Sequence, residues 1–219
     1  MASDRVYRIG KENFMRILFQ GDSITDFGRI KTDEKDMGMG YPLLVKSELG
    51  FDYPGEYEFF NRGINGNRIV DIYARMKSDI LYLKPDVMSI LVGTNDAWHD
   101  IYPIPNGVDA EKYFKVYCML IEEIKQALPD IRIMIMGSFV LNCPSREQDW
   151  DYLSREVSKR AEMAKKVAEK YGLEFIELQS AFDNAAKICP GEYWLADGVH
   201  PTPMGHELIK RKWIEAFKK

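Results

Sequence analysis

Phe14-Met15-Arg16-Ile17-Leu18-Phe19-Gln20 runs straight into Gly21-Asp22-Ser23-Ile24-Thr25, and this junction decides the fold class. A short, nearly continuous apolar run that breaks at glycine reads as a strand buried on both faces. Four further runs have the same character. Residues 57–61 (YEFFN) end at Arg62-Gly63, 87–92 (VMSILV) at Gly93 and 131–136 (IRIMIM) at Gly137, while 173–178 (LEFIEL) is the fifth. The segments between them carry helical spacing. Residues 109–128 place Phe114, Tyr117, Cys118, Ile121 and Ile124 three and four apart, with Asp109 as N-cap and Pro129 as stop. Residues 150–171 repeat the pattern through Leu153, Val157, Ala161, Ala164 and Val167, with Gly172 as C-cap. Residues 41–49, 69–83 and 204–217 are the other expected helices. Strands alternating with helices predict an α/β fold with a parallel sheet of about five strands covered on both faces. Segments 27–40 and 141–149 are long loops, expected to wall the binding site.

The chain has 219 residues, 46% hydrophobic and 29% charged, enough to bury one sizeable core; residues 1–219 read as a single domain. Thirty Lys and Arg against 34 Asp and Glu leave a net charge of −4, without the basic stripe of a nucleic-acid binder. Cys118, Cys143 and Cys189 form no C-x-x-C pair and read as buried thiols of a reducing compartment. Residues 1–13 lack the apolar core of a secretory signal, and no apolar run approaches the ~20 residues that span a bilayer. A cytoplasmic protein with no membrane partner is expected; an oligomer stays open.

Ligands of open α/β sheets bind outside the carboxyl ends of the strands. Gly21-Asp22-Ser23, Asn61-Arg62-Gly63 and Gly93-Thr94-Asn95-Asp96 stand there, and Asp197-Gly198-Val199-His200-Pro201 comes near the C-terminus. A serine hydroxyl attacks only when an oriented base takes its proton. Asp197 and His200 supply that base and its orienting carboxylate, since Gly198 lets the segment turn and Pro201 keeps His200 out of helical geometry. The backbone N–H groups of Ser23 and Gly63 and the side-chain amide of Asn95 are the expected oxyanion donors. Asp22 and Asp96 adjoin these groups and can orient the loops by hydrogen bonding. His206 is expected to cap or pack the last helix, and His99 to lie at a rim.

Together the four blocks resemble the GDSL, or SGNH, family of esterases and lipases, whose Ser, Gly, Asn and His stand here at Ser23, Gly63, Asn95 and His200. The resemblance implies a flavodoxin-like three-layer α/β/α sandwich and a Ser-His-Asp mechanism with neither metal nor cofactor. Ile24-Thr25 after Gly-Asp-Ser departs from the family's literal name without touching a catalytic position. Gly21 to Arg29 (GDSITDFGR), Asn61-Arg62-Gly63 and Trp98 look like the branch of carbohydrate acetyl esterases such as acetylxylan esterases. That likeness implies hydrolysis of acetyl esters of sugars such as xylo-oligosaccharides, with Asp22, Trp98 and Trp194 as substrate contacts. Lysophospholipase or thioesterase activity is the alternative on the same scaffold. Two other classes compete: a metal-dependent phosphoesterase holding its cation with Asp22, Asn95, Asp96, Asp197 and His200, and a catalytically silent carbohydrate-binding protein.

Overall fold

The structure, a computed structural model, describes residues 14–219; the reading of residues 1–13 lies outside them. Five strands, β1 (Met15–Gly21), β2 (Tyr57–Gly63), β3 (Val87–Leu91), β4 (Arg132–Met136) and β5 (Glu174–Ile176), form one sheet in the order β2-β1-β3-β4-β5. Every neighbouring pair is parallel. The helices are α1 (Ser23–Asp26), α2 (Tyr41–Asp52), α3 (Ile69–Ala74), α4 (Thr94–Trp98), α5 (Ala110–Ala127), α6 (Trp150–Tyr171), α7 (Gln179–Ala186), α8 (Gly191–Trp194) and α9 (Pro203–Phe217).

Successive strand residues point to opposite faces, and the two cores sort accordingly. Ile17 and Phe19 of β1 pack with Tyr41 and Val45 of α2, Phe182 of α7 and Trp213 of α9. Leu18 faces the other way, with Met88 and Ile90 of β3, into Ile72 of α3, Ile121 of α5 and Ala164 of α6. The result is a three-layer α/β/α sandwich with the flavodoxin-like strand order. In that order the crossovers change direction between β1 and β3, which opens a crevice at their carboxyl ends.

Local chemistry sets the long helices where the spacing placed them. Asp109 accepts the Lys112 N–H at 2.9 Å as N-cap of α5, and Gly172 closes α6 in left-handed conformation. Thr202 caps α9 by accepting the Gly205 N–H, with Pro203 in the first turn. The helix expected over 69–83 is a correction. Regular α geometry stops at Ala74, and a π turn follows over Lys77–Leu81. Ile72, Met76 and Ile80 are all buried in one core, yet side chains four apart drift by about 40° on an ideal helix. The wider turn takes up that drift. The short helices α1, α4, α7 and α8 were not expected as separate elements, and β5 is shorter than the run 173–178.

Candidate active site

Ser23 opens α1 directly beyond β1, and Asp22 is its N-cap, accepting the Ile24 N–H on Oδ1 at 3.0 Å. The Ser23 hydroxyl lies 3.0 Å from His200 Nε2. The other ring nitrogen, Nδ1, lies 2.9 Å from Asp197 Oδ2. Asp197 Oδ1 accepts the backbone N–H of His200 at 2.8 Å and of Val199 at 3.1 Å, so the carboxylate folds back over its own turn. With Nδ1–H donating to the carboxylate, Nε2 is left as an acceptor for the Ser23 O–H. The His200 side chain is 38% exposed, open to a ligand from the crevice.

Charge follows from these contacts. Burial would raise the Asp197 pKa, but hydrogen bonds from His200 outweigh it and hold the carboxyl well below its usual range. The hydrogen bond that His200 donates to Asp197 raises the His200 pKa above its ordinary value, against burial. Asp22 is buried, and burial pushes its carboxyl up to about 6. Asp96 is fully buried and pushed up to about 8 for the same reason; its carboxylate accepts the Ile69 N–H at 3.0 Å.

Asn95 projects from the first turn of α4, beyond β3. Its Nδ2 donates to the Asn67 carbonyl at 3.2 Å and, at 3.4 Å, toward Asp22 Oδ2. Asp22, expected as a substrate contact, is thus a buried cap and an anchor for the Asn95 amide. Gly63 also departs from expectation. Its N–H donates to Asn61 Oδ1 at 2.8 Å, so it is not a free donor. Asn61 is buried and spends its amide on the carbonyls of Thr25 at 2.7 Å and Met37 at 2.9 Å. A Cβ on Gly63 would stand 2.4 Å from the Asp26 nitrogen, so this glycine is required for the close approach of α1.

The turn after Gly63 carries a different donor. Ile64 N–H bonds to the Gly21 carbonyl at 3.1 Å, Asn65 N–H to Asp26 Oδ2 at 2.9 Å, and Asn67 N–H closes back on Ile64 at 3.1 Å. Between them Gly66, at φ +79°, has open space where a Cβ would be, and its N–H has no acceptor among the described residues. The Ser23 N–H is likewise free, as the first N–H of a helix is. Gly66 and Arg75 were not singled out from the sequence, and Asn61 was named only within its block, with no role of its own. Arg75 donates to the carbonyls of Arg62 at 2.8 Å and Gly21 at 3.2 Å, lashing β1 and β2 together below the site.

Trp98 and Trp194 occupy unlike places. The Trp98 ring lies 6.4 Å from the His200 ring, centroid to centroid, and one of its faces is covered by the Arg146 guanidinium at 3.9 Å. Trp194, expected as a substrate contact, is partly buried and packs against the core cluster that includes Trp213 of α9, with its indole nitrogen buried and unpartnered. His206 is buried in α9 as expected. His99 is half-buried and stacks on Tyr102 at 5.1 Å. Loop 141–149 packs on the Asp197–His200 segment through the Leu141 N–H to Gly198 carbonyl bond at 2.9 Å. Loop 27–40 backs the Gly63 turn, where Arg29 donates to the Gly63 carbonyl at 2.9 Å. The groups named for a cation do not converge: among the described residues no three His, Cys, Asp or Glu are grouped to hold a metal ion.

A flavodoxin-like sheet with serine, histidine and aspartate at its carboxyl edge has the build of a carboxylic ester hydrolase. The profile of the GDSL-like lipase/acylhydrolase family matches residues 19–208, and the chain belongs to that family. It is 31% identical over 206 residues to an acetylxylan esterase of Geobacillus stearothermophilus, covering 91% of this chain and 92% of that protein. The solved structure of an acetylxylan esterase from that organism superposes with a TM-score of 0.82 at 30% identity, over 94% of each chain. A candidate GDSL-like lipase from Parabacteroides merdae superposes at 0.85 with 33% identity, over 95% of this chain and 99% of that one. Catalytic mutants of the Geobacillus enzyme replace a serine, an aspartate and a histidine by alanine, the last two three positions apart.

Proposed function

We propose that the protein is a serine esterase that removes short acyl groups, acetyl above all, from carbohydrates such as xylo-oligosaccharides. The observation that carries the reading is the continuous path from Ser23 Oγ through His200 to Asp197, at 3.0 Å and 2.9 Å. The same spacing of aspartate and histidine in the catalytic mutants of the Geobacillus enzyme supports it. The reading treats residues 1–219 as one hydrolase domain. Three free cysteines suit a cytoplasmic, reducing setting, where the substrate would be imported fragments.

Ser23 Oγ attacks the ester carbonyl carbon while His200 Nε2 takes the hydroxyl proton. The carbonyl oxygen becomes an oxyanion, stabilised by the N–H groups of Ser23 and Gly66 and by Asn95 Nδ2. Gly66 replaces Gly63 in this role because the Gly63 N–H is already spent on Asn61. Collapse breaks the bond to the alcohol oxygen, which leaves with the proton from His200, and an acyl-serine remains. Water then adds to the acyl carbon and gives a proton to His200; collapse breaks the bond to Ser23 Oγ, which takes the proton back from His200, and the acid leaves as the carboxylate.

The test is a series of p-nitrophenyl esters from acetate to octanoate, followed by acetylated xylo-oligosaccharides, with a serine-directed sulfonyl fluoride as inactivator. The expected result is highest kcat/KM on acetate, acetate release from the oligosaccharides, and an adduct mapped to Ser23. Preference for octanoate would replace the sugar reading with a lipid one, and an adduct elsewhere would remove Ser23.

A further inference from the structure

We propose that Arg146, in the loop between β4 and α6, is a positioning residue for the Asp197–His200 pair: it pins the carboxylate and holds a fixed positive charge beside the imidazole. This rests on the serine-esterase reading above, where His200 is the base.

Residues 141–146 grip the 195–200 segment at three points. Leu141 N–H donates to the Gly198 carbonyl at 2.9 Å, Cys143 Sγ to the Leu195 carbonyl at 3.4 Å, and Arg146 Nε to the Asp197 carbonyl at 3.1 Å. The loop stiffens itself with a short 3₁₀ turn over Pro144–Arg146, closed by the Arg146 N–H to Cys143 carbonyl bond at 2.8 Å. The Arg146 guanidinium then lies over the Trp98 ring, 3.9 Å from its centroid, and brings one terminal nitrogen to 3.6 Å from Asp197 Oδ2. That oxygen is the one that meets His200 Nδ1 at 2.9 Å. Arg146, Asp197, His200 and Trp98 thus close a ring of contacts in which the carboxylate is held from two sides.

A planar cation stacked on an indole is fixed in orientation in a way a flexible ammonium is not. Two chemical consequences follow. Asp197 Oδ2 is shared between imidazole and guanidinium, so the carboxylate orients His200 without unopposed attraction for its proton. The charged groups facing His200 are Asp197 on its own segment, Asp22 at the start of α1 and Arg146 across the loop; the two carboxylates favour the imidazolium and Arg146 opposes it. The His206 ring in α9, which feels the His200 charge, stays neutral. Arg146 is the cation that keeps an aspartate-backed histidine available as a base near neutral pH.

The experiment is the Arg146→Met substitution, read two ways. With p-nitrophenyl acetate, kcat/KM at pH 6 should fall roughly threefold to tenfold more than at pH 8.5, because losing a nearby positive charge makes the imidazole harder to deprotonate. In the Ser23→Ala protein, whose turnover is expected to be negligible on the time of the measurement, the His200 C2–H resonance should titrate at higher pH when Arg146→Met is added. The chain has only 3 histidines, so the assignment is short. Arg146→Lys should restore part of the displacement. An unchanged His200 midpoint in Arg146→Met, even with a lower Tm, would overturn the proposal, as would a Lys variant displaced as far as the Met variant. Should Ser23→Ala alone retain esterase turnover, the serine reading falls, while the resonance midpoint still decides the Arg146 assignment.

Discussion

Ser23 Oγ and His200 Nε2 stand 3.0 Å apart although 177 residues separate them in the chain. Neither is held by a long element. Ser23 begins a single-turn helix in which Asp22 accepts the Ile24 N–H at 3.0 Å and the Asp26 N–H at 2.8 Å, and whose last residue, Asp26, is tied by its carboxylate to the Asn65 N–H at 2.9 Å. His200 sits in an irregular segment held by the Ala196 N–H, which bonds to the His200 carbonyl at 2.8 Å, and by loop 141–149. The contact is therefore the meeting of two short, hydrogen-bonded turns mounted on a rigid sheet, an arrangement suited to reactive groups.

Replacing Ser23 with Ala removes the attacking oxygen but only one partly exposed hydroxyl. kcat should fall roughly 10³-fold to 10⁶-fold, with Tm and far-UV circular dichroism unchanged. Turnover near the wild-type rate would exclude Ser23 as nucleophile.

The oxyanion donors separate by experiment. Asn95→Ala should lower kcat by roughly 10²-fold to 10³-fold with little change in KM, since the amide matters most in the tetrahedral state. Gly63→Ala should instead lose stability, by roughly 1 to 3 kcal/mol, because its Cβ would press on the Asp26 nitrogen. In the protein phosphonylated at Ser23, the amide resonances of Ser23 and Gly66 should move downfield and that of Gly63 should stay. A Gly63 amide that moves, with Gly66 unmoved, would return Gly63 to the hole.

The pH profile has a defined sign. Asp197 raises the His200 pKa above its ordinary 6.5, and the neutral ring is the base, so kcat/KM should rise with pH through an apparent pKa above 6.5 and level off. Asp197→Asn removes the charge that favours the imidazolium, so the acid limb should move to lower pH while the plateau drops roughly 10²-fold or more from lost orientation. His200→Ala should cost more than Asp197→Asn. An acid limb that stays in place in Asp197→Asn would contradict the pairing.

The strands were legible because buried parallel strands are apolar runs bounded by glycine, and the helices α5 and α6 because caps and spacing agree. Ser23 and Asn95 were legible as polar groups at strand ends, and Asp197 and His200 as a spaced acid–base pair on a turn near the C-terminus. Which of Gly63 and Gly66 keeps a free N–H was not legible, since both share one turn and the Asn61 Oδ1 meets the Gly63 N–H only once the chain is folded. The packing of Trp194 was not legible, because an aromatic beside a loop carries no mark of which way its ring turns; here the ring is partly buried against the core. Arg146 lies 51 residues from Asp197, and no local pattern couples the two.

The last expectation concerns His206, outside the reaction. Its Nδ1 accepts the Tyr41 N–H at 3.1 Å, its Nε2 is buried without a partner, and Phe27 packs on the ring at 4.6 Å. Protonating Nδ1 would set two donors against each other in a dry site, and burial accordingly pushes the pKa down to about 4. The unfolded chain takes up that proton near 6.5. Above pH 6.5 neither state is charged and the residue contributes no pH dependence. Between 6.5 and 4 only the unfolded chain binds the proton, so stability falls as pH falls, by up to about one proton's linkage. His206→Gln keeps an acceptor for the Tyr41 N–H without a titrating group. Measured by urea unfolding, the wild type should lose roughly 2 to 3 kcal/mol more than His206→Gln between pH 7.5 and pH 4.5. Parallel losses in the two proteins would mean that His206 is protonated in the folded state, and that the Tyr41 bond does not hold.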